Sequence, residues 1–234
     1  KYIYSLWGPN LYNGELYALP MSANILGKVY NKALLSKVLG REFTDADIPS
    51  NWDEFLALGA KIEEYNKANN LTGNDKLYLT TVPAGTGAES MGAMFYLAYS
   101  ARSGASLMNP DLTEMTLATQ GNIDAAAKIK QLADLGYTTT TFSESKFETG
   151  KVAFIEMGPW KLLDYSRIDE ASADIDYGYT TVMPFENGGD ISSTLGLYSL
   201  VITQKSTKKE LAADFIKYVT TDKTVQLAHN TVQN

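Results

Sequence analysis

The stretch of residues 147–164, FETGKVAFIEMGPWKLLD, decides the fold. SESKFETG (143–150) reads as a single short helix that Gly150 ends, because glycine takes the left-handed conformation of a helix stop without steric cost. KVAFIEM (151–157) is an apolar run of strand length, and so a buried strand. Gly158-Pro159 breaks it, since proline has no amide to donate to a ladder. Trp160 therefore falls at a strand-to-helix junction, ahead of KLLD.

The same alternation continues outward. Upstream, GELYALPM and ILGKVYN read as short strands, and Asn13-Gly14 as the two-residue turn preceding the first, where both positions must accept positive φ. Pro20 is expected at a strand end or crossover, away from mid-sheet. Residues 32–39 form a short helix. PSNWDEFLALGAKIEEYNKANN starts a helix in which Ser50 with Asp53, or Asn51 with Glu54, caps the first turn. Its buried stripe is Phe55, Leu58, Ile62 and Tyr65. Residues 77–81 form a strand that runs into the loop PAGTGAES, and MGAMFYLAYSAR is a buried helix. Residues 122–135 form an amphipathic helix with Ile123, Ala126, Ile129 and Leu132 inward and Gly136 as its stop. Downstream, YGYTTVMP is strand-like and LYSLVIT a buried strand. Residues 207–219 form a helix capped by Thr207 with Glu210, whose apolar stripe is Leu211, Phe215 and Tyr218. Short strands alternating with helices of about a dozen residues make an α/β fold.

Composition then removes whole classes of chemistry. The 234 residues, enough for one large domain or two modest ones, carry 20 Lys and Arg against 27 Asp and Glu, a net charge of −7. That balance argues against nucleic acid as a partner, because a phosphate backbone demands a basic face. With no Cys and a single His, His229, structural zinc, iron–sulfur clusters, disulfides and Ser-His-Asp catalysis drop out. No apolar run reaches the ~20 residues that span a bilayer. The adjacent carboxylates Asp53/Glu54 and Glu63/Glu64 lie on one helix as a solvated face, whereas a glycosidase needs two that oppose each other across a sugar. Gly85 and Gly87 lack the third glycine of a dinucleotide loop. The acidic stretch with Asp169, Glu170, Asp174 and Asp176 lacks the central glycine of a calcium loop. No catalytic residue, metal ligand or cofactor site emerges, which points to recognition without chemistry. Tyrosine supplies 15 of the aromatics; its flat body and hydroxyl tip suit a ligand with both apolar faces and hydroxyls, and sheet packing uses it as readily.

Three segments taken together resemble one family. They are LYALPMSANILGKVYNKALL (16–35) with NWDEFLALGAKI (51–62), then FETGKVAFIEMGPWKLLD (147–164), then residues 177–219 from YGYTTVMP to AADFIKYV. In this order and at these intervals they are similar to the extracellular solute-binding proteins of bacterial sugar ABC importers, the maltose-binding-protein-like group. The resemblance implies a type II periplasmic-binding-protein-like α/β lobe with a mixed sheet flanked by helices, and an incomplete second lobe. It implies an N-lobe remnant and first hinge crossing at 1–24, a C-terminal lobe at 25–193, and a second crossing with a returning N-lobe segment at 194–234. The family's long N-terminal lobe segment and its C-terminal end have no counterpart here. The partners implied are a small-molecule sugar and the membrane permease subunits. The protein would act as a monomer outside the cytoplasm, periplasmic or as a cell-surface lipoprotein, with signal and anchor outside this chain.

The resemblance also implies ligand-binding residues. Trp160, following Gly158, can lay its ring against the apolar face of a pyranose; the other reading is a core Trp closing the gap between strand and helix. Asn24 matches a first-crossing position where an amide, both donor and acceptor, suits a vicinal diol; alternatively it is a turn residue. Thr86, Glu89 and Ser90 precede or open a helix facing the cleft; Glu89 reads equally as a first-turn acid favoured by the helix dipole. Two rival functions stay open: a carbohydrate-active enzyme of glycosidase type, and a same-fold receptor for a non-sugar solute.

Overall fold

The computed structural model describes residues 6–82, 89–139, 141–171 and 175–233; of 89–91, 169–171 and 230–233 it describes the backbone alone. In chain order the elements are β1 (Leu11–Tyr12), β2 (Glu15–Leu16), β3 (Ala18–Ile25), β4 (Gly27–Asn31), α1 (Lys32–Leu39), α2 (Trp52–Ala68), β5 (Tyr78–Thr80), α3 (Glu89–Arg102), α4 (Gln120–Asp134), α5 (Glu144–Glu148), β6 (Val152–Met157), α6 (Leu162–Ala171), β7 (Tyr177–Thr180), β8 (Leu195–Val201), α7 (Lys209–Thr221) and α8 (Lys223–Gln233). The chain divides into two units, one made of Lys1–Ile25 with Leu195–Asn234 and the other of Leu26–Thr194.

The larger unit is built on a four-stranded mixed sheet in the order β5-β6-β4-β7. β6 is parallel to β5, and β4 is antiparallel to both β6 and β7. All six residues of β6 are buried, as the apolar run required. Alternation along the strands sends Phe154 and Tyr30 to one face, where they join Leu34, Leu35, Trp52, Phe55, Phe95 and Tyr99 from α1, α2 and α3. Val29, Ile155 and Met157 go to the other face, under Phe147, Tyr165 and Tyr177. The α2 stripe of Phe55, Leu58 and Ile62 is buried as expected, and the cap is Asn51, whose side-chain oxygen accepts from the Glu54 amide. Glu54 returns a carboxylate to the Ser50 amide at 2.8 Å.

Helix α4 turns Leu132 and Ile129 to the core as expected but leaves Ile123 and Ala126 exposed, so its inward face is rotated from the expected stripe. Asn122, Ala125 and Leu132 are buried, and Ile123 is exposed. The cause is the Asn122 amide, whose Nδ2 donates to the Ser106 and Thr116 carbonyls at 2.8 Å each and to Thr119 Oγ1 at 3.0 Å, while Oδ1 accepts from Ser100 Oγ. A buried amide with four partners outweighs one isoleucine in setting which face turns inward.

The smaller unit contains the hairpin β1-β2 and the antiparallel pair β3-β8. Asn13 and Gly14 hold φ of 50° and 79° at the hairpin tip, the conformation expected of that dipeptide. Pro20 lies inside β3 rather than at its end; the register shifts between Pro20 and Ser22, and such an irregularity in a two-stranded ribbon accommodates a residue with no amide hydrogen. Two other expectations fail here. β8 is not a buried strand, since Leu195, Tyr198 and Val201 are exposed. α7 packs against β3, yet its Leu211, Phe215 and Tyr218 are exposed as well. A two-stranded ribbon with two helices has too little surface to enclose its own apolar faces. The Thr207 cap is also absent: α7 starts at Lys209 without a side-chain cap, and Ser206 Oγ accepts from the Lys208 amide at 3.3 Å.

Candidate functional site

β6 ends at Met157, and the chain that continues it carries an exposed aromatic side chain, Trp160. Residues 159–161 make a single 3-10 turn, closed by the Lys161 amide donating to the Gly158 carbonyl at 3.3 Å, and α6 follows directly. Proline at the first position of this turn loses no hydrogen bond, because that amide has no partner within it. The indole of Trp160 folds back over Gly158, so that a Cβ at 158 would collide with the six-membered ring. Trp160 is nonetheless 46% exposed. The six-membered ring packs over bare backbone and about half of the residue is open to solvent, unlike the core residue Trp52, which is 1% exposed.

The neighbouring residue anchors the turn. Lys161 Nζ lies 2.9 Å from the Glu144 carboxylate, 3.2 Å from Glu148 and 3.5 Å from Asp164. Hydrogen bonding to Glu144 raises the Lys161 pKa against the opposing effect of partial burial, with Glu148 adding to the rise, so the ammonium stays charged throughout the physiological range. Helix α5 supplies two of these carboxylates; it is capped by Ser143 and ended by Gly150 at φ 70°.

Asn24 belongs to the smaller unit. It is half-buried in β3, opposite Gly196 of β8, with its side chain over that glycine; a Cβ at 196 would collide with Oδ1. Asn24 is thus a strand residue and not a turn residue. Thr86 lies outside the described residues. Glu89 and Ser90 are the first two residues of α3, and their side chains lie outside the described set. The structure therefore brings Gly158 and Trp160 together.

A charged cluster absent from the sequence expectations sits within the same sheet. Glu156, two residues before Gly158, is buried and receives a two-pronged hydrogen bond from Arg102 of α3, Nη1 to Oε1 at 3.0 Å and Nη2 to Oε2 at 2.9 Å. Arg102 Nε donates to the Ser192 carbonyl at 2.8 Å. Lys28 Nζ approaches Glu156 to 3.8 Å and lies 4.1 Å over the Phe55 ring. Burial pushes the Lys28 pKa down to about 8, only partly offset by Glu156. Burial pushes the Glu156 carboxyl the other way, and the charges of Arg102 and Lys28 overcome it, holding the carboxyl below its ordinary value. A charge inside a six-residue buried strand has to be paired. Glu156 in FIEM was the signal from which such a cluster could have been inferred.

A separate cavity of roughly 670 Å³ in the larger unit is lined by Arg102, Lys128, Gln131, Phe185 and Glu186 among others, and by none of the expected site residues. Among the described residues there is no group of three or more His, Cys, Asp or Glu side chains able to hold a metal ion. No described helix is long and apolar enough to cross a membrane.

The larger unit is thus an α/β domain whose central strand ends in a turn carrying a half-exposed aromatic ring. The family model for bacterial extracellular solute-binding proteins matches residues 1–226, and the chain belongs to that family. It is 26% identical over 218 residues to the galactooligosaccharide-binding protein of Bacillus subtilis strain 168, covering 89% of this chain and 46% of that one. The multiple sugar-binding protein of Streptococcus mutans is 24% identical over 230 residues, covering 92% of this chain and 49% of the relative. Among solved structures, an ABC transporter solute-binding protein from Thermotoga lettingae bound with α-D-tagatose superposes with a TM-score of 0.75 at 20% identity, over 99% of this chain and 56% of that one. That likeness shows the fold, a type II periplasmic-binding-protein lobe with a mixed sheet flanked by helices. The chain spans about half the length of the curated relatives it matches.

Proposed function

We propose that this chain is part of a receptor that binds carbohydrate between two lobes and presents it to the membrane permease of an ABC importer, without catalysis. The observation that carries the reading is the Trp160 indole, about half exposed and packed over Gly158, with the Lys161 anchor beside it. A preorganised flat apolar face is what a pyranose, with C–H groups on one side and hydroxyls at the rim, can stack on. The printed names of the relatives support sugar as the solute class.

In this reading Trp160 and Gly158 form the stacking platform. Asn24, Thr86, Glu89 and Ser90 are the further residues we assign to the sugar, as hydrogen-bonding groups for its hydroxyls. The chain passes between the units at Ile25–Leu26 and at Thr194–Leu195. These two crossings act as the hinge, since a few residues at element ends can absorb a domain rotation. The receptor works as a monomer on the outer side of the membrane, periplasmic or lipid-anchored.

The test is a thermal-shift screen of the full-length protein against mono-, di- and oligosaccharides, polyols and glycerophosphodiesters, followed by calorimetry on the best hit. Trp160→Ala should weaken sugar binding at least about tenfold, ~1.4 kcal/mol. Stabilisation by non-sugar solutes alone would exclude carbohydrate, and an unchanged affinity in the variant would remove Trp160 from the site.

A further inference from the structure

We infer that Arg102 is a positioning residue for this receptor: it locks the end of β6, from which the Gly158–Trp160 turn springs, to the segment through which the chain leaves the larger unit. The inference deepens the reading of Trp160 as a sugar contact and rests on it.

Three consecutive residues carry the tie on the exit side. Ser192 gives its carbonyl to Arg102 Nε at 2.8 Å, and Ser193 Oγ donates to the Leu26 carbonyl at 2.8 Å. Thr194 Oγ1 donates to the Met94 carbonyl at 2.6 Å, and its own carbonyl accepts from the Leu26 amide at 3.4 Å. Leu26 is the first residue of the larger unit and Thr194 the last. The two points at which the chain crosses are thus bonded to each other and to α3. Arg102, the last residue of α3, adds a connection that reaches the sheet, through Glu156.

The chemistry of the link fits a geometric role. A buried ion pair is seldom more stable than apolar packing of the same volume, because desolvation consumes the Coulombic gain. What it adds here is orientation: two parallel N–H···O bonds fix the guanidinium plane against the carboxylate, and that plane aims Nε at one carbonyl. Lysine at 102 would keep the charge but, as a point donor on a flexible stem, could not hold both Glu156 oxygens and Ser192 together. Apolar residues at 28, 102 and 156 would fill the core but leave Ser192 unheld.

The experiment compares the full-length wild type with Arg102→Lys and with the triple variant Lys28→Met, Arg102→Met, Glu156→Met, which removes the whole cluster at once in case the single change unfolds the protein. Amide hydrogen exchange of the ligand-free proteins should quicken about tenfold in peptides covering 22–29 and 190–197 while the centre of α2 keeps its protection. Affinity for the best sugar should fall about fivefold or more, since a misplaced platform loses preorganisation. Unchanged exchange at both crossings in the triple variant would overturn the tie. Faster exchange with undiminished affinity would overturn the positioning role. Should the wild type bind no sugar, the Trp160 reading fails while the exchange comparison still decides whether Arg102 holds the crossings.

Discussion

Arg102 and Glu156 meet edge to edge inside the protein, their side chains only 1% and 3% exposed and joined by bonds of 3.0 and 2.9 Å. Lys28 completes the cluster at 3.8 Å, so one carboxylate neutralises one of two buried cations. The arrangement makes the carboxylate the critical member. Glu156→Ala leaves two cations facing each other without a counter-charge, and it should destabilise the protein by ~3–5 kcal/mol. Lys28→Met keeps the matched pair and should cost far less or stabilise. Urea midpoints for the two variants, read at constant m-value, check the order.

The same cluster gives stability a definite slope with pH. Lys28 titrates at about 8 in the folded protein against 10.5 for an ordinary lysine. Between those values the unfolded chain holds a proton that the folded chain lacks, so stability rises with pH across the window and is lost again as pH falls through 8. The slope approaches ~1.4 kcal/mol per pH unit in mid-window. Tyr30 acts in the opposite sense above pH 10, because burial and its bond to Asp45 push it up to about 12. Unfolding measured from pH 7.5 to 9.5 should therefore show rising stability in the wild type and a flatter profile in Lys28→Met.

Much of the larger unit was legible in the sequence because its signals are local. The residues 32–39 helix, the Ser143 and Gly150 boundaries of α5 and the wholly buried β6 each follow from a few adjacent residues. The exposure of Trp160 also had a local cause, the Gly-Pro break that stops the strand and turns the chain outward. The charged cluster was not legible as a cluster, since 54 residues separate Arg102 from Glu156 and only the fold joins them. The smaller unit was misread for a different reason. The spacing of Leu211, Phe215 and Tyr218 correctly gives one apolar face, but periodicity says nothing about what covers that face.

Asn122 sets the orientation of α4, and its removal should be costly for a helix position that looks unremarkable in sequence. Asn122→Ala takes the acceptor from the buried Ser100 hydroxyl, whereas the Ser106 and Thr116 carbonyls keep donors in Thr116 Oγ1 and the Thr119 amide. One buried hydroxyl left unsatisfied, together with the lost amide bonds, is expected to cost ~1–3 kcal/mol. Ile123→Ser on the adjacent exposed position should change stability by under ~0.5 kcal/mol. Thermal unfolding of the pair would invert this order if the helix faced the way its isoleucine suggests.

The contact between Gly158 and Trp160 allows the binding platform to be moved without touching the tryptophan. A methyl group at 158 would collide with the indole, so in Gly158→Ala the ring has to swing off the backbone. Gly158 has φ −88° and ψ 169°, which alanine adopts without strain, so the substitution acts through the ring and not through the main chain. Trp160 is already about half exposed, and its displacement forfeits little burial; the stability change should stay within ~1 kcal/mol. Fluorescence of the displaced indole should shift to the red. Sugar affinity should fall to the level of Trp160→Ala, because a mobile ring must be reordered on each binding event. Combining Gly158→Ala with Trp160→Ala should then add nothing further, as expected of two changes that disable the same surface. An affinity loss in the double variant equal to the sum of the two single losses would show that residue 158 acts by another route.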